Sequence, residues 1–137
     1  DRVMRFFGSY QPFFVSDNFQ EVHSEIDPTR LSAACNSTIS QININVAGRS
    51  SFGDGLLKIQ TYEVSNILVP DPRLLPQLEI DQVVINSRLL DFVDADRRAL
   101  DDIIFDVLGL TQGERDAVYE AVVNLVEARL KKARSLR

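Results

Sequence analysis

The sequence predicts an α+β fold, in which an N-terminal β-hairpin and short strands accompany a central helix and a helical hairpin follows at the C-terminal end. Three observations support this prediction. Aromatic and β-branched residues flank a turn-forming triplet near the N-terminus, a strong helix-start signal stands at residues 27–28, and apolar residues recur at helical spacing through the last third of the chain.

The first element is a β-hairpin predicted within residues 6–22. Residues 13–15 and 19–22 are rich in aromatic and β-branched side chains, which favour strands. Between them stands a Ser-Asp-Asn triplet at residues 16–18, which is typical of turns because short polar side chains hydrogen-bond to the nearby backbone. The pattern predicts two strands joined by a short connection.

The second element is a helix predicted to start at Asp27 and Pro28. An aspartate can accept a hydrogen bond from a free N–H of the first turn, and a proline at the first helical position has no N–H to leave unpaired. Residues then recur at three- and four-residue spacing up to a stop at Gly48: Leu31, Ala34, Thr38, Ile42 and Val46. Residues 36–45 have weak helix propensity, so an alternating strand remains the alternative for that half, and we prefer the helix.

A loop, a short strand and a short helix are predicted next. Residues 48–55 form a polar, glycine-rich loop, and residues 56–60 are typical of a strand. Thr61 resembles the cap of a short helix over residues 62–66.

Two prolines around Asp71 indicate a boundary between two segments. We predict an α/β recognition-like segment over residues 1–72 and a helical C-terminal extension over residues 73–137. The chain begins with Asp and enters strand-like sequence directly, so we expect one compact unit excised from a longer protein.

A helical hairpin is predicted for the C-terminal extension. The first helix, residues 96–108, is capped by Asp94 or Asp96, ends at Gly109, and places four apolar residues on one side: Ala99, Ile103, Ile104 and Val107. Thr111 and Glu114 have the spacing of a capping box. The second helix carries its own apolar face, and the two faces are predicted to turn toward each other: Val118, Ala121, Val122, Leu125 and Val126.

Composition limits the classes of function. The 137 residues are 45% hydrophobic and 26% charged, which is typical of a globular protein, and no apolar run approaches the ~20 residues needed to cross a bilayer. A single cysteine, Cys35, cannot form an internal disulfide, and we expect a cytoplasmic protein without a membrane partner. The net charge of −5 argues against a general basic field, although the C-terminal end is purely basic. That end is either a solvated helix terminus or a phosphate contact.

Three segments in order resemble one protein family. Residues 34–38 lead into a helix, residues 48–59 combine a glycine-rich turn with a short strand, and residues 62–70 end in a hydrophobic-proline step. This order resembles the region that follows the catalytic domain in adenine-specific DNA methyltransferases of restriction-modification systems. Residues 96–101 and 110–132 are similar to the C-terminal extension of that family.

The resemblance implies a non-catalytic module that recognises or positions DNA, with a catalytic methyltransferase domain upstream. S-adenosylmethionine would then be the cofactor of the parent protein, with no cofactor in this piece. The family's catalytic signature, an Asn or Asp before two prolines and an aromatic residue, is absent from the sequence. Residues 52–55 superficially resemble a cofactor loop, but they precede a strand instead of following one, and a tight turn is the better interpretation.

The glycine-rich loop carries the best functional candidates, because its donors and close backbone approach suit phosphate or base-edge contact. The candidate DNA-contacting residues are Asn36, Arg49, Ser50, Ser51, Gly53, Gly55, Lys58, Lys131 and Lys132. The loop is equally well interpreted as a connector, and Asn36 as a residue that ties its helix to a neighbouring strand.

No catalytic or metal-binding constellation is predicted. His23 has no second histidine or cysteine partner in the sequence pattern, and four aspartates of the extension are interpreted as a solvated helix face: Asp94, Asp96, Asp101 and Asp102. Two hypotheses remain. The chain is a DNA-recognition or DNA-positioning module, or it is a structural extension that docks on the catalytic domain or another subunit without touching DNA.

Overall fold

The computed structural model describes residues 4–12, 14–16, 19–50, 57–86 and 95–135, with the backbone alone described at residues 49–50 and 84–86. Over these residues the chain is mostly helical. It forms α1 (Pro28–Asn36), α2 (Thr38–Ala47), α3 (Thr61–Val64), α4 (Gln77–Asn86), α5 (Ala95–Leu108) and α6 (Gln112–Ser135), with a 3-10 turn at Pro72–Leu74. One antiparallel pair of two-residue strands, β1 (Arg49–Ser50) and β2 (Leu57–Lys58), is the strand content of these ranges.

The predicted α+β class is therefore wrong, and the predicted N-terminal hairpin is the main error. The described part of residues 6–22 contains no strand. The backbone N–H of Phe19 donates to the Ser16 carbonyl at 3.0 Å, as in a turn, while Asp17 and Asn18 lie outside the described residues. Phe14 is fully exposed and Phe19 is 61% exposed, and the described residues of the flanking segments include no buried side chain that would hold them in a ladder.

The central helix is present but broken into α1 and α2 at Ser37. Asp27 caps α1 as predicted, since its Oδ1 accepts the N–H of Arg30 at 3.0 Å with Pro28 next in the chain. Ser37 has extended dihedrals, φ −58° and ψ 152°, and its hydroxyl accepts the N–H of Ser40 at 3.2 Å to start α2. A second cap inside the predicted helix thus explains the break.

The strand alternative for residues 36–45 is wrong, because residues 38–47 are helical. The polar residues there are accommodated by bonds to the helix's own backbone. The amide of Asn43 donates to the Ile39 carbonyl at 3.2 Å, and that of Asn45 donates to the Gln41 carbonyl at 2.7 Å. Such bonds to the preceding turn let these side chains stay in a half-buried helix.

Two apolar clusters join the helices. In the first, α1 packs on the 3-10 turn and α4, and α4 packs on α5. Its buried members are Ala33, Ala34, Leu75, Ile80, Leu100 and Ile104. In the second, α2 packs on α6, with Val122 and Val126 buried against Ile42 and Leu130. Helices from both sides of the Asp71 boundary therefore share each cluster.

The two C-terminal helices and their connection are confirmed. Gly109 follows α5 with φ 69°, a conformation that favours glycine. Glu114 accepts the backbone N–H and the hydroxyl of Thr111, each at 2.8 Å, which completes the predicted capping box.

The faces of the two helices differ from the prediction. Ala99 is exposed and Val107 is 36% exposed, although the sequence pattern predicts that both point inward. The two helices meet near their connection, where the Phe105 and Tyr119 rings stand 5.7 Å apart edge to face. Beyond that point the 24-residue α6 packs on α2. No described helix is long and apolar enough to cross a membrane.

A buried carboxylate, Asp101 of α5, holds the break between α1 and α2. Its Oδ1 accepts the backbone N–H of Thr38 at 2.8 Å, and its Oδ2 accepts the Thr38 hydroxyl at 2.5 Å. The Tyr119 hydroxyl of α6 donates to the same Oδ2 at 3.0 Å. Asp101 and Thr38 are fully buried, so one side chain ties α2, α5 and α6 together. The prediction that the acidic group forms a solvated face is wrong for Asp101, whereas Asp102 is exposed.

Arg97 completes this polar centre. It is fully buried one turn before Asp101, and its Nη1 donates to the carbonyl of Asn36, the last residue of α1. A helix break leaves backbone groups without helical partners, and here α5 supplies partners on both sides of the break. Burial raises the pKa of Asp101, while hydrogen bonds from Thr38 and Tyr119 and the charge of Arg97 act in the opposite direction.

We expect Asp101→Ala to lower the free energy of unfolding by about 3–5 kcal/mol, because it leaves the buried donors of Thr38 and Tyr119 without their acceptor and removes the negative charge near Arg97. The neighbouring Asp102→Ala is the matched control, since Asp102 is exposed on the same helix. It removes an ion pair with Arg115, whose Nη1 stands 3.6 Å from the Asp102 carboxylate, and should change stability by less than about 1 kcal/mol. Urea unfolding followed by circular dichroism measures both. Equal effects of the two variants would contradict the polar centre.

A second prediction concerns pH. Because burial raises the pKa of Asp101 in the folded state above its ordinary value of 3.8, protonation of this group favours folding. Its contribution is complete below the unfolded pKa and is lost as the pH rises through the folded pKa. We therefore expect wild type to gain stability relative to Asp101→Asn as the pH falls from neutral toward 3.8. A stability difference that is independent of pH would argue against this assignment.

Candidate nucleic-acid interface

The predicted glycine-rich loop, residues 48–55, contains β1 near its start and precedes β2 in the chain. Arg49 of β1 is the Cα partner of Lys58 of β2, and Ser50 is the partner of Leu57. Since α2 ends at Ala47, β1 continues almost directly from the helix that packs on α6. The strand pair therefore connects the loop to the helical core.

Gly48 allows β2 to lie close to the end of α2. A Cβ atom at this position would stand 2.6 Å from Cδ1 of Leu57, which is closer than real Cβ contacts. The backbone N–H of Gly48 donates to the Ile44 carbonyl at 2.8 Å, and α2 ends here as predicted. The contact with Leu57 fixes the strand pair against the helix end.

The register brings two predicted DNA-contacting residues together. Arg49 and Lys58 are nine residues apart in the chain, yet they occupy directly paired positions, where Cα atoms are about 4.5–5.5 Å apart in antiparallel strands. Like charges directly opposite each other destabilise such a pair. Lys58 is exposed, so a solvent anion has access to this end of the pair.

The structure places the other candidates as follows. Ser51, Gly53 and Gly55 lie outside the described residues, and of Ser50 only the backbone is described. Lys131 and Lys132 are exposed near the end of α6, away from the strand pair in sequence. The Nζ of Lys131 stands 4.0 Å from Glu127, in a pair whose side chains are 79% and 60% exposed. Cations there also suit the helix dipole, so both interpretations of this basic end stand.

Asn36 is not at the surface. It is buried at the end of α1, where its amide nitrogen donates to the Ser32 carbonyl at 2.8 Å and to the Phe6 carbonyl at 2.7 Å. Its amide oxygen accepts the N–H of Phe6 at 3.1 Å. The side chain thus ties α1 to an extended segment of the chain's own N-terminal part, and it is separate from the loop.

Gln41 makes the same kind of contact on α2. Its Oε1 accepts the N–H of Met4 at 3.1 Å, and its Nε2 donates to the Met4 carbonyl at 2.9 Å. We call residues 4–10 the N-terminal strap. Two buried carboxamides, Asn36 and Gln41, hold alternate residues of the strap through backbone groups alone. Sequence reasoning gave Asn36 the alternative of a tie to a neighbouring strand but gave Gln41 no role, and the one signal at Gln41 was the poor helix propensity of this polar stretch.

Two further contacts hold the strap to the start of α1. A Cβ atom at Gly8 would stand 2.3 Å from the Pro28 carbonyl oxygen, so the strap touches the helix backbone there. The Tyr10 hydroxyl donates to Oδ2 of Asp27 at 2.5 Å, and this bond holds the pKa of Asp27 below its ordinary value. The strap therefore runs antiparallel to α1 and α2, from Gln41 back to Asp27.

The remaining reactive side chains offer no catalytic arrangement within the described ranges. His23 is 90% exposed and its Nε2 stands 3.3 Å from Glu21. Burial raises the pKa of the Cys35 thiol to about 11, which keeps it in the unreactive protonated form at neutral pH. Among the described residues, no group of three or more His, Cys, Asp or Glu side chains could hold a metal ion.

The surroundings of two glycines predict opposite effects of their replacement by alanine. Gly8→Ala should lower stability and speed hydrogen exchange at the Met4 and Phe6 amides, because the added methyl group collides with the Pro28 carbonyl. Gly113→Ala, in α6 with open space around its Cβ position, should instead raise the free energy of unfolding by about 0.5–1 kcal/mol. Thermal unfolding and amide exchange measured by NMR test both. A neutral Gly8→Ala variant would show that the strap is not held as described.

In comparisons with known proteins, no protein-family model, no curated protein and no solved structure matches the chain.

Proposed function

We propose that this chain is a non-catalytic part of an adenine-specific DNA methyltransferase, and that it recognises or positions DNA through the strand pair and its loop. The observation that carries the proposal is the register of Arg49 with Lys58. The sequence identifies both residues as candidate DNA contacts, and their backbone positions are paired at the base of the loop.

The chemistry of a DNA backbone suits this arrangement. A phosphate carries a full negative charge on exposed oxygens, and arginine and lysine are the side chains that most often contact it. Two cations at directly opposite strand positions repel each other. A phosphate bound by both would offset that repulsion, which would favour binding. Such contacts fix the position of a protein on a duplex and carry no sequence information by themselves.

The acidic net charge makes the contact local. With a net charge of −5, the chain as a whole repels a polyanion, so long-range attraction does not bring DNA to it. Screening reduces that repulsion beyond about 8–10 Å at physiological salt, while a cation in direct contact with a phosphate is less affected. The module would act once the parent enzyme has engaged the duplex.

The methyl transfer itself would belong to the parent protein. In this proposal a catalytic domain supplies the S-adenosylmethionine site and the reacting groups, and the target adenine must be flipped out because the duplex hides its amino group. The module would contribute by holding the backbone near the flipped nucleotide. The absence of the catalytic signature from the sequence accords with that division.

A second candidate function is favoured by a separate observation. The N-terminal part exposes several aromatic side chains, and exposed apolar surface is typical of a site that another protein covers. They are Phe7, Tyr10, Phe14 and Phe19, at 77%, 73%, 106% and 61% exposure. In that case the chain is a structural extension that docks on a catalytic domain or another subunit and does not contact DNA.

Removal of both cations tests the first candidate. In the full-length protein, Arg49→Ala with Lys58→Ala should weaken DNA binding and lower the log–log salt slope by about 0.9 for each phosphate that the protein no longer neutralises. Hydrogen bonds to base edges would instead relax sequence preference by about 1–3 kcal/mol per bidentate pair, with little change in the slope for an unspecific duplex.

The comparison variant is Lys131→Ala with Lys132→Ala, which removes the same charge from α6. Fluorescence anisotropy over a salt series measures both double variants. A loss of affinity confined to the strand-pair variant supports the proposal, and equal losses of affinity indicate that the basic end of α6 contributes as much to DNA binding as the strand pair. If the strand-pair variant keeps wild-type affinity, salt slope and site preference, the loop is a connector and the structural-extension function is favoured.

A further inference from the structure

The N-terminal strap is bonded along one side in the alternating pattern of an extended segment. Both backbone groups of Met4 face Gln41, and both backbone groups of Phe6 face Asn36. The N–H and C=O of one residue point to the same side when that residue is extended, and those of the next residue point to the opposite side. The backbone groups of Arg5 and Phe7 therefore face away from α1 and α2.

This outer edge is open in the described part of the chain. The backbone hydrogen bonds found there include none from or to Arg5 or Phe7, and both residues are exposed, Phe7 at 77%. An open strand edge is a template for pairing with another strand. Because Asn36 and Gln41 already hold the inner edge, the outer edge is ordered before any partner arrives.

We propose that the outer edge pairs with the same edge of a second copy of this chain. The two straps would run antiparallel with Arg5 of one copy opposite Phe7 of the other. Each such pair exchanges two backbone hydrogen bonds, so the two pairs make four. Phe6 of one copy then stands opposite Phe6 of the other, at a position that makes no backbone hydrogen bonds between the strands. This fits the structure, because both backbone groups of Phe6 already bond to Asn36.

The side chains of Arg5 and Phe7 favour this register between two copies. Residues that stand directly opposite share a face, so Arg5 of one copy would lie against the Phe7 ring of the other, in a cation–π contact made twice by symmetry. A register centred on Arg5 would oppose two arginines, and one centred on Phe7 would place Arg5 opposite Ser9. The symmetric Arg5–Phe7 register is the one that matches each cation with an aromatic ring.

The geometry also limits the assembly to two copies. Each strap has one free edge, and an isologous contact between two such edges closes on itself. Stable interfaces bury about 1,200–2,000 Å², and two short paired segments form a smaller contact. We therefore expect the dimer to form in concentrated solution and to exchange with monomer. This inference does not depend on the DNA role of the strand pair.

Two substitutions at Phe7 test the register. Phe7→Arg places arginine opposite Arg5 and should raise the dimer dissociation constant by about tenfold or more, whereas Phe7→Glu creates an opposite-charge pair and should keep it within about threefold of wild type. Sedimentation velocity of the full chain over a concentration series measures all three proteins. Both variants remove the same exposed ring, so a merely hydrophobic contact would weaken equally in both.

Amide exchange gives an independent reading on the unmodified chain. Protection of the Arg5 and Phe7 amides should rise with protein concentration, while the Met4 and Phe6 amides stay protected at every concentration. A wild-type chain that remains monomeric throughout, or a dimer that Phe7→Arg and Phe7→Glu weaken to the same degree, would overturn the proposal.

Discussion

The acceptance of the Thr38 backbone N–H by Asp101 is the interaction on which the arrangement of the helices depends. The break at Ser37 turns one long helix into two, and every break of this kind leaves backbone donors and acceptors that must find partners away from water. Here α5 supplies an acceptor on one side and the Arg97 guanidinium as a donor on the other. Because Tyr119 binds the same carboxylate, the position of α6 follows from the same centre.

The two surfaces with proposed roles depend on this centre through α2. Gly48 and Leu57 fix the strand pair at one end of α2, and Gln41 holds the strap to its side. The apolar contact of α2 with α6 keeps the helix in place, since Val122 and Val126 pack near Ile42. A shift of α2 would therefore move the paired cations and the strap together.

Local signals in the sequence predicted the ends of several elements. Asp27 with Pro28, Gly48, Gly109, and Thr111 with Glu114 each act within one or two turns, so their chemistry can be read from neighbouring residues. The prediction of an N-terminal hairpin was wrong because a strand needs a partner strand and a buried face, and the aromatic residues Phe14 and Phe19 have neither.

Long-range contacts could not be predicted from neighbouring residues. Thr38 and Asp101 are 63 residues apart, and nothing around Asp101 distinguishes it from the exposed Asp102 beside it. The buried face of α5 was predicted wrongly for the same reason, because a charged residue on the buried side shifts the apparent apolar stripe.

For the candidate site, the sequence identified Arg49 and Lys58, but only the register of the two strands shows that they are directly paired. Asn36 was identified as a contact residue or a tie, and its amide bonds are those of a tie to the strap.

The strap is held through its backbone, so its attachment to the helices does not depend on the side chains that it exposes. Asn36 and Gln41 bond to the peptide groups of Phe6 and Met4, and every residue other than proline carries the same N–H and C=O. Side chains at Arg5 and Phe7 can therefore be exchanged over evolution without loosening the segment from the helices. The exposed residues at positions 5 and 7 can thus be substituted while the helices that hold the strap stay the same. Gly8 cannot be substituted in this way, because a side chain there would collide with the Pro28 carbonyl.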